Sequence, residues 1–487
     1  MNVYMVFYIL GHVLRIEGVL MLLPSLVGWI YGEDQGLVFL IMAISLFVLG
    51  FMLSFKKPKD STFYLKEGCV ITALSWIVMS FFGALPFYIS GEIPSMLDAF
   101  FETVSGFTTT GASILSDVES LCHATQFWRC FTHWIGGMGV LVFLLAIIPM
   151  SGGSNINLMR AESPGPSVGK LVPKLRQSAA LLYLIYFFLT SLEVLFLVCG
   201  KMPVFESMCT SFGTAGTGGF GVYRDSLAGQ TPYIQWVATI FMILFGVNFN
   251  FYFFLLYRHL RKAVKMTEVR AYFVIIIAST LVIAANIYHQ VSSVSAAIRH
   301  SGFQVASIIT TTGFASTDFN MWPEPSRVIL VVLMFIGACA GSTGGGIKVS
   351  RFIILIKSIG KELKSYVYPK SVSKISIDGS PVEHEIVRSV NVYFITFFIL
   401  FTASVFVVSF DNKGLITSFT AVAATINNIG PGLEFAGPTQ NYASFSAPAK
   451  FTMIFDMLAG RLELFPMLML FNPKLYVSKP LFSHKSK

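Results

Sequence analysis

Apolar runs long enough to cross a bilayer recur along nearly the whole chain, and polar residues are confined to the breaks between them. A spanning helix needs about 20 predominantly apolar residues. Runs of that kind lie near 3–31, 36–55, 68–90, 125–149, 178–200, 232–257, 271–290, 326–357, 388–410 and 449–472. The pattern predicts an all-α polytopic membrane protein with about ten transmembrane helices. Between the later runs, shorter semi-polar segments near 95–113, 203–221, 296–316 and 414–432 end in glycine-rich stretches. They are too short and too polar to cross, so each is expected to enter the membrane and return. The unit of helix, pore loop and helix thus occurs four times around one central pore, after two extra N-terminal helices.

Self-similarity supports the repeat. Phe101-Glu102 and Phe303-Gln304 stand the same distance ahead of Gly111 and Gly313. Thr108-Thr109-Thr110-Gly111-Ala112-Ser113 matches Thr310-Thr311-Thr312-Gly313-Phe314-Ala315-Ser316. The second copy reads Thr217-Gly218-Gly219-Phe220 and the fourth Asn427-Asn428-Ile429-Gly430-Pro431-Gly432, matching mainly by position. The implied organisation is an N-terminal two-helix domain over 1–60 and repeats over 61–160, 161–265, 266–375 and 376–487, the last with a cytosolic tail.

Composition agrees. The chain is 54% apolar and only 12% charged, which suits a surface covered by lipid and not a soluble enzyme. No hydrolase or redox constellation and no regular arginine ladder is present. The net charge of +9 would suggest nucleic acid if it were gathered on one face. Instead, basic residues collect in alternate loops. One holds Lys56, Lys57, Lys59 and Lys66; the next such loop holds Arg160, Lys170, Lys174 and Arg176. Arg258, Arg261, Lys262, Lys265 and Arg270 follow, then Lys348, Arg351, Lys357, Lys361, Lys364, Lys370, Lys374 and Arg388, and finally Lys474, Lys479, Lys485 and Lys487. The intervening loops hold only Arg129, Lys201, Arg224, Arg299, Arg327, Lys413 and Lys450. This positive-inside bias places both termini in the cytoplasm. No small-residue cleavage site follows the first run, so no cleavable signal peptide is expected. The six cysteines are scattered, and free thiols are expected, with a Cys122–Cys130 pair as the one alternative. Cys122, His123, Cys130 and His133 fit no common zinc spacing.

Backbone at membrane depth must be hydrogen-bonded or line a wet cavity. A Thr-Thr-Gly segment after a short helix suits the second case, because glycine reaches backbone angles that turn a carbonyl inward. Four such segments around an axis would offer rings of carbonyl oxygens in place of a cation's hydration shell. The short helices would aim their partly negative C-terminal ends at the centre. Asp117, Glu119, Asp225, Asp318, Glu324, Asp411 and Glu434 are expected to line the mouth and concentrate cations.

These motifs at this topology, from about residue 65 to 472, resemble the Trk/Ktr/HKT superfamily of potassium transporters. The extra N-terminal pair resembles the TrkH branch of bacterial potassium uptake proteins. The resemblance implies potassium uptake across the bacterial inner membrane, with K+ as the transported ion and no covalent cofactor. It assigns the selectivity filter to Thr109, Thr110, Gly111, Gly218, Gly219, Thr311, Thr312, Gly313, Asn428, Ile429 and Gly430. In the HKT relatives a serine at the first filter glycine goes with sodium permeation, so Gly111 favours potassium. Copies two and four depart from Thr-Thr-Gly. The resemblance also implies a homodimer and a TrkA-type cytosolic nucleotide-binding regulator on the loops 160–176, 258–270 and 357–388. Attraction of those lysines to membrane lipid is the rival explanation.

The run 326–357 is over-long and is broken by Gly341-Ser342-Thr343-Gly344-Gly345-Gly346. Successive glycines disfavour a helix by about 1 kcal/mol each. The stretch matches the family's intramembrane gate loop; a helix-packing site of small residues is the alternative. It is no phosphate-binding loop, since Ile347 follows where the lysine is needed and Lys348 lacks a following Ser or Thr. Arg461 is the other polar outlier. In the family an arginine there faces the cavity under the filter and could donate to the loop's carbonyls. Pairing with Glu463 or snorkelling inward are the alternatives. Asn248 and Asn250 read as interhelical hydrogen-bonding residues. Arg15 and Glu17, two apart on one helix, do not face one another. A secondary transporter of a small organic solute, or a less selective sodium/potassium pathway, are the competing functions.

Overall fold

Long apolar helices alternate with short helices that run out, within a few residues, into a glycine. The computed structural model describes residues 2–56, 58, 65–137, 139, 175–291, 293–370 and 374–473. Lys57, Lys59, Arg160, Lys170, Lys174, the tail lysines and most of the second half of the run 125–149 lie outside the described residues. Among the described residues, six helices are long and apolar enough to cross a membrane, the first being Val3–Tyr31. Those at Leu65–Ile89, Leu175–Cys199, Thr267–Val291 and His384–Ser409 each open one unit. A short helix follows each: Met96–Phe107, Val204–Gly216, Val294–Ile309 and Leu415–Ile426. Their C-terminal halves are buried and mix small residues such as Ser105, Gly106, Thr214, Ala306 and Thr425 with bulky ones such as Phe107, Ile308 and Ile426.

Two of the helices that close the units differ from the expectation of single spans, and a third is broken where the glycine run 341–346 predicts. Pro232–Gly246 meets Phe249–Leu256 at a bend of 90°, so the run 232–257 is not one straight helix. The run 326–357 is Glu324–Ile336 and Val349–Val367, separated by twelve non-helical residues, 337–348. The run 449–472 is Ala447–Arg461 and Phe465–Leu470, parted where Glu463 and Leu464 take φ of 60° and 67°. Hydropathy continues across each break, because the freed backbone groups are satisfied inside protein and not by lipid.

In the N-terminal pair, Val3–Leu20 packs along Gln35–Ser54 through glycine. A Cβ at Gly50 would lie 2.5 Å from Gly11 O, so the backbones touch directly. Arg15 lies over the Phe47 ring at 5.2 Å, while Glu17 is buried on the same helix. All six cysteines are free. The basic helix Val349–Val367 leads to an antiparallel hairpin, Ser376–Ile377 with Ser380–Pro381, turned at Asp378-Gly379.

Glu33, between the first two spans, caps the helix His123–Gly137. Its carboxylate accepts from His123 N at 2.8 Å and Ala124 N at 2.9 Å, and contacts His123 Nδ1 at 2.7 Å. Partial burial pushes this carboxyl up, but the two helix N–H groups and the imidazole outweigh it and hold it below its ordinary 4.5. A depressed carboxyl contributes stability that is full above its unfolded value and is lost as pH falls through the folded one. Glu33→Gln should therefore lower the melting temperature of the detergent-solubilised protein by a few degrees at neutral pH. The difference from wild type should shrink as the buffer is acidified below about pH 4.

Candidate ion pathway

The four short helices end in one repeated backbone design. Thr109, Thr217, Thr311 and Asn428 take left-handed φ of 55°, 56°, 60° and 56°. Thr110 N donates to Ser105 O at 2.8 Å, Gly218 N to Gly213 O at 2.9 Å, Thr312 N to Ser307 O at 2.8 Å and Ile429 N to Ala424 O at 2.8 Å. The preceding residues donate three back, Thr109 N to Gly106 O at 3.1 Å for example. This double closure is the Schellman cap, which uses up the last carbonyls of each helix. Threonine is disfavoured in the left-handed region, so each of the three threonine caps stores roughly 1–3 kcal/mol of strain that the packing must overcome, whereas Asn428 tolerates that conformation.

Two residues on, Gly111, Gly219, Gly313 and Gly430 take φ of 79°, 78°, 87° and 95°. A Cβ at Gly111 would lie 1.8 Å from Gly218 O, at Gly219 2.1 Å from Thr312 O, at Gly313 2.2 Å from Ile429 O, and at Gly430 2.7 Å from Thr110 O. Each glycine thus abuts the carbonyl of the residue before the next unit's glycine, and the sequence one-two-three-four-one closes on itself. Among the described residues, none of these four carbonyls accepts a hydrogen bond from a backbone N–H. Eight of the eleven residues assigned from sequence form this cycle, and the other three, Thr109, Thr311 and Asn428, are left-handed cap residues next to it.

Hydroxyls and a buried ion pair back the ring. Thr108 Oγ1 lies 2.8 Å from Thr110 Oγ1, and Thr310 Oγ1 lies 2.7 Å from Thr312 Oγ1. Asn428 Nδ2 donates to Thr110 Oγ1 at 2.9 Å, tying the fourth unit to the first. Tyr442 OH donates to Gly430 O at 2.7 Å. Arg129, read from sequence as a loop residue, is in fact buried: its Nε donates to Glu102 Oε1 at 2.7 Å, and its guanidinium lies 3.7 Å from the Phe220 ring centroid. Glu102 Oε2 accepts from Ile114 N at 2.9 Å, so the pair ties the first short helix to chain beyond Gly111.

On one side the ring opens into a cavity of about 250 Å³, walled by Gly111, Gly219, Gly313 and Gly430 and by polar residues that include the basic Arg129 and Arg224. The expected acidic lining is absent: none of Asp117, Glu119, Asp225, Asp318, Glu324, Asp411 or Glu434 faces it. These carboxylates are used locally. Glu119 accepts from Arg224 N at 3.1 Å, Asp225 from Gly229 N at 2.9 Å, Asp411 from Ser446 N at 2.8 Å, and Glu324 pairs with Arg327.

On the other side lies the break 337–348. A Cβ at Gly344 would be 2.9 Å from Thr310 O, and at Gly345 2.6 Å from Asn427 O, so the loop presses on the ends of two short helices. Gly345 N donates to Thr311 Oγ1 at 2.6 Å. Gly341 O accepts from Phe249 N at 3.0 Å, and Ser342 Oγ donates to Cys339 O at 2.7 Å. Gly346 takes a φ of 72°. Arg461 spans the space beneath: Nη1 donates to Thr343 O at 3.0 Å and Nη2 to Gly136 O at 2.6 Å. Glu463 pairs with Arg351 and not with Arg461.

Three residues here escape a reading by hydropathy. Lys348 and Arg351, counted with the basic loops, are buried; Lys348 Nζ donates to Gly344 O and Arg351 stacks 3.9 Å over Tyr393. Glu268 clamps both ends of the loop, accepting from Ala340 N at 2.6 Å and Ser350 N at 3.2 Å. Asn248 Nδ2 donates to Glu268 at 3.2 Å, the interhelical bond expected of it. The metal-ligand types of the first unit are also engaged elsewhere: His133 Nδ1 lies 2.7 Å from Gly106 O, and Cys122 Sγ 3.0 Å from Thr125 Oγ1.

Any side chain at Gly111 must displace the Gly218 carbonyl, whereas a Cβ at Gly221, just beyond the ring, meets nothing nearer than 3.5 Å. Gly111→Ala should lower the potassium-to-sodium uptake ratio in proteoliposomes by about tenfold, the equivalent of about 1.4 kcal/mol. Gly221→Ala should leave that ratio unchanged.

Comparison with known proteins agrees with this architecture. The family described as "TrkH: Cation transport protein" matches residues 35–479. The Trk system potassium uptake protein TrkH of Escherichia coli strain K12 is 37% identical over 464 residues, 93% of this chain and 95% of the relative. The protein of that name from Vibrio parahaemolyticus serotype O3:K6 is 34% identical over 480 residues, 96% of this chain and 98% of the relative. The crystal structure of the potassium transporter TrkH from Vibrio parahaemolyticus matches with a TM-score of 0.87 at 32% identity, covering 98% of this chain and 100% of that one. With a family match over most of its length and relatives of this identity and coverage, the chain belongs to the TrkH family of cation transport proteins.

Proposed function

We propose that this chain takes up potassium through the four-unit ring, and that the loop 337–348 with Arg461 is the gate. The observation that carries the reading is the closed cycle of glycine-to-carbonyl contacts from Gly111 through Gly430. Four carbonyls that meet no backbone N–H among the described residues, at the partly negative ends of four helices, suit a desolvated cation and repel an anion. The relatives' names, all potassium uptake proteins, favour potassium over other cations and over an organic solute. The relatives' names and bacterial organisms support a bacterial inner-membrane location, and the alternation of basic loops supports cytoplasmic termini.

An ion leaving the ring on the loop side meets Gly344 and Gly345 against Thr310 O and Asn427 O. It then meets the Arg461 charge, which no carboxylate among the described residues neutralises directly. Steric closure and repulsion therefore act at one place. Opening requires the loop to leave the ring, and the loop continues directly into the basic helix Val349–Val367. A homodimer with a TrkA-type nucleotide-binding ring on that helix would supply the pull; Lys361 and Lys364 are exposed there to receive it.

Arg461→Ala should raise resting rubidium uptake into proteoliposomes without the regulator by about tenfold, matching a barrier lower by about 1.4 kcal/mol. Shortening 341–346 should do the same. Both changes together should give less than the product of the separate effects, because they act on one barrier. Resting uptake at the wild-type level in both single variants, with normal elution from a sizing column, would remove the gate assignment. Loss of the preference for potassium and rubidium over sodium and lithium in the wild type would remove the ion assignment.

A further inference from the structure

The ring is four-fold in backbone but not in side chains. The residue before each ring glycine is Thr110, Gly218, Thr312 and Ile429. Three of these carry a side chain that fills the space behind their carbonyl. Thr110 and Thr312 pair with Thr108 and Thr310, and Ile429 is fully buried. Gly218 has nothing. A bare glycine there would leave a threonine-sized gap behind one ring carbonyl and the least restrained backbone of the four.

The gap is occupied from another unit. A Cβ at Gly218 would lie 2.5 Å from both Cγ and Nδ1 of His133 and 2.6 Å from its Cδ2. The imidazole therefore stands where the missing side chain would begin. His133 belongs to the helix His123–Gly137 of the first unit, and it is completely buried. Its Nδ1 is 2.7 Å from Gly106 O in the first short helix, and its ring stacks on Phe220 with centroids 4.2 Å apart. Glycines bring it this close. A Cβ at Gly216 would lie 2.2 Å from His133 O, and a Cβ at Gly137 would lie 2.6 Å from Gly216 Cα. The same helix touches the end of the first short helix, since a Cβ at Gly136 would lie 1.9 Å from Phe107 O. His133 is thus wedged between two short helices and tied to both.

We propose that His133 serves as the side chain that the second unit lacks: a positioning residue that holds the Gly218 carbonyl in the ring and sets ion discrimination there. Its ring blocks outward movement of the Gly218 peptide, and its bond to Gly106 O fixes the distance between the first and second short helices. The inference rests on the reading of the ring as the selective element. It makes one demand that simple core packing does not. A threonine at position 218 and an imidazole at 133 should be alternatives, since each fills the same space.

The test uses the full-length chain in proteoliposomes and reads the potassium-to-sodium uptake ratio separately from the maximal rate. His133→Ala should lower the ratio roughly tenfold. His133→Asn, which keeps a donor near the position of Nδ1, should lower it less. The double variant H133A/G218T puts a threonine before the ring glycine as in units one and three, with Gly216 where those units have the threonine's hydroxyl partner, and should bring the ratio back toward wild type. Gly218→Thr alone, with the imidazole in place, should fold poorly. A folded His133→Ala with a wild-type ratio would overturn the proposal, as would a double variant with a ratio no better than His133→Ala. Should His133→Ala not fold, the double variant decides: folding with a restored ratio supports the proposal, and failure to fold or an unrestored ratio rejects it. Gly111→Ala run alongside separates the two claims. If it alters the ratio while His133→Ala does not, only the role of His133 falls; if neither does, the reading of the ring falls first.

Discussion

A backbone carbonyl at membrane depth is costly unless a donor, water or a cation meets it. Here that cost is concentrated at one level, where Thr110, Gly218, Thr312 and Ile429 present oxygens that meet no backbone N–H among the described residues. The nearby N–H groups cannot relieve it, because the Schellman caps commit them to the ends of the short helices. The buried hydroxyls of Thr108 and Thr310 are turned to the threonines behind the ring and to their own helices. What remains is an array of oxygens whose best partner is a desolvated cation.

Keeping those oxygens in place demands contact at backbone distance on every side. Gly136 reaches Phe107 O and Gly460 reaches Ile426 O with room for no side chain, a Cβ at either being 1.9 Å or 2.0 Å away. The closing helices of the units press on the short helices at these points. Below them the fold changes character: continuous helix gives way to the bend after Gly246, the loop 337–348 and the break at Glu463–Leu464. Buried charge gathers at that level. Glu268 holds the loop by both ends, Lys348 and Arg461 donate to its carbonyls, and Arg351 with Glu463 links the two segments that follow the breaks. Breaking any member of such a set leaves a buried charge without its partner, which is destabilising by about 3–5 kcal/mol for a paired ion. That penalty favours two alternative arrangements over gradual deformation.

Much of this was legible from residue pattern. Apolar runs marked the straight helices, and the position of Gly111, Gly219, Gly313 and Gly430 marked the ring, because only glycine fits where a Cβ would strike the next unit's carbonyl. The loop was legible for a related reason, as Gly344-Gly345-Gly346 cannot favour a helix. Hydropathy misjudged what depends on the fold. It treated Lys348, Arg351 and Arg129 as solvated loop charges, since a linear pattern cannot show that a break in a helix is buried. It likewise assigned the acidic residues to the mouth, whereas Asp225 and Asp411 satisfy local backbone N–H groups. His133 was invisible for the plainest reason: its place is set by a gap in a segment 85 residues away, between His133 and Gly218.

The most direct measurement is the position of a heavy potassium analogue in crystals grown in rubidium or thallium. Anomalous density should lie on the axis bounded by the carbonyls of Thr110, Gly218, Thr312 and Ile429, and it should weaken when sodium replaces the analogue. Density absent from that ring and centred instead on Glu268 or Glu463 would contradict the account, because the cation would then be held by carboxylates beneath the break and not by the backbone ring.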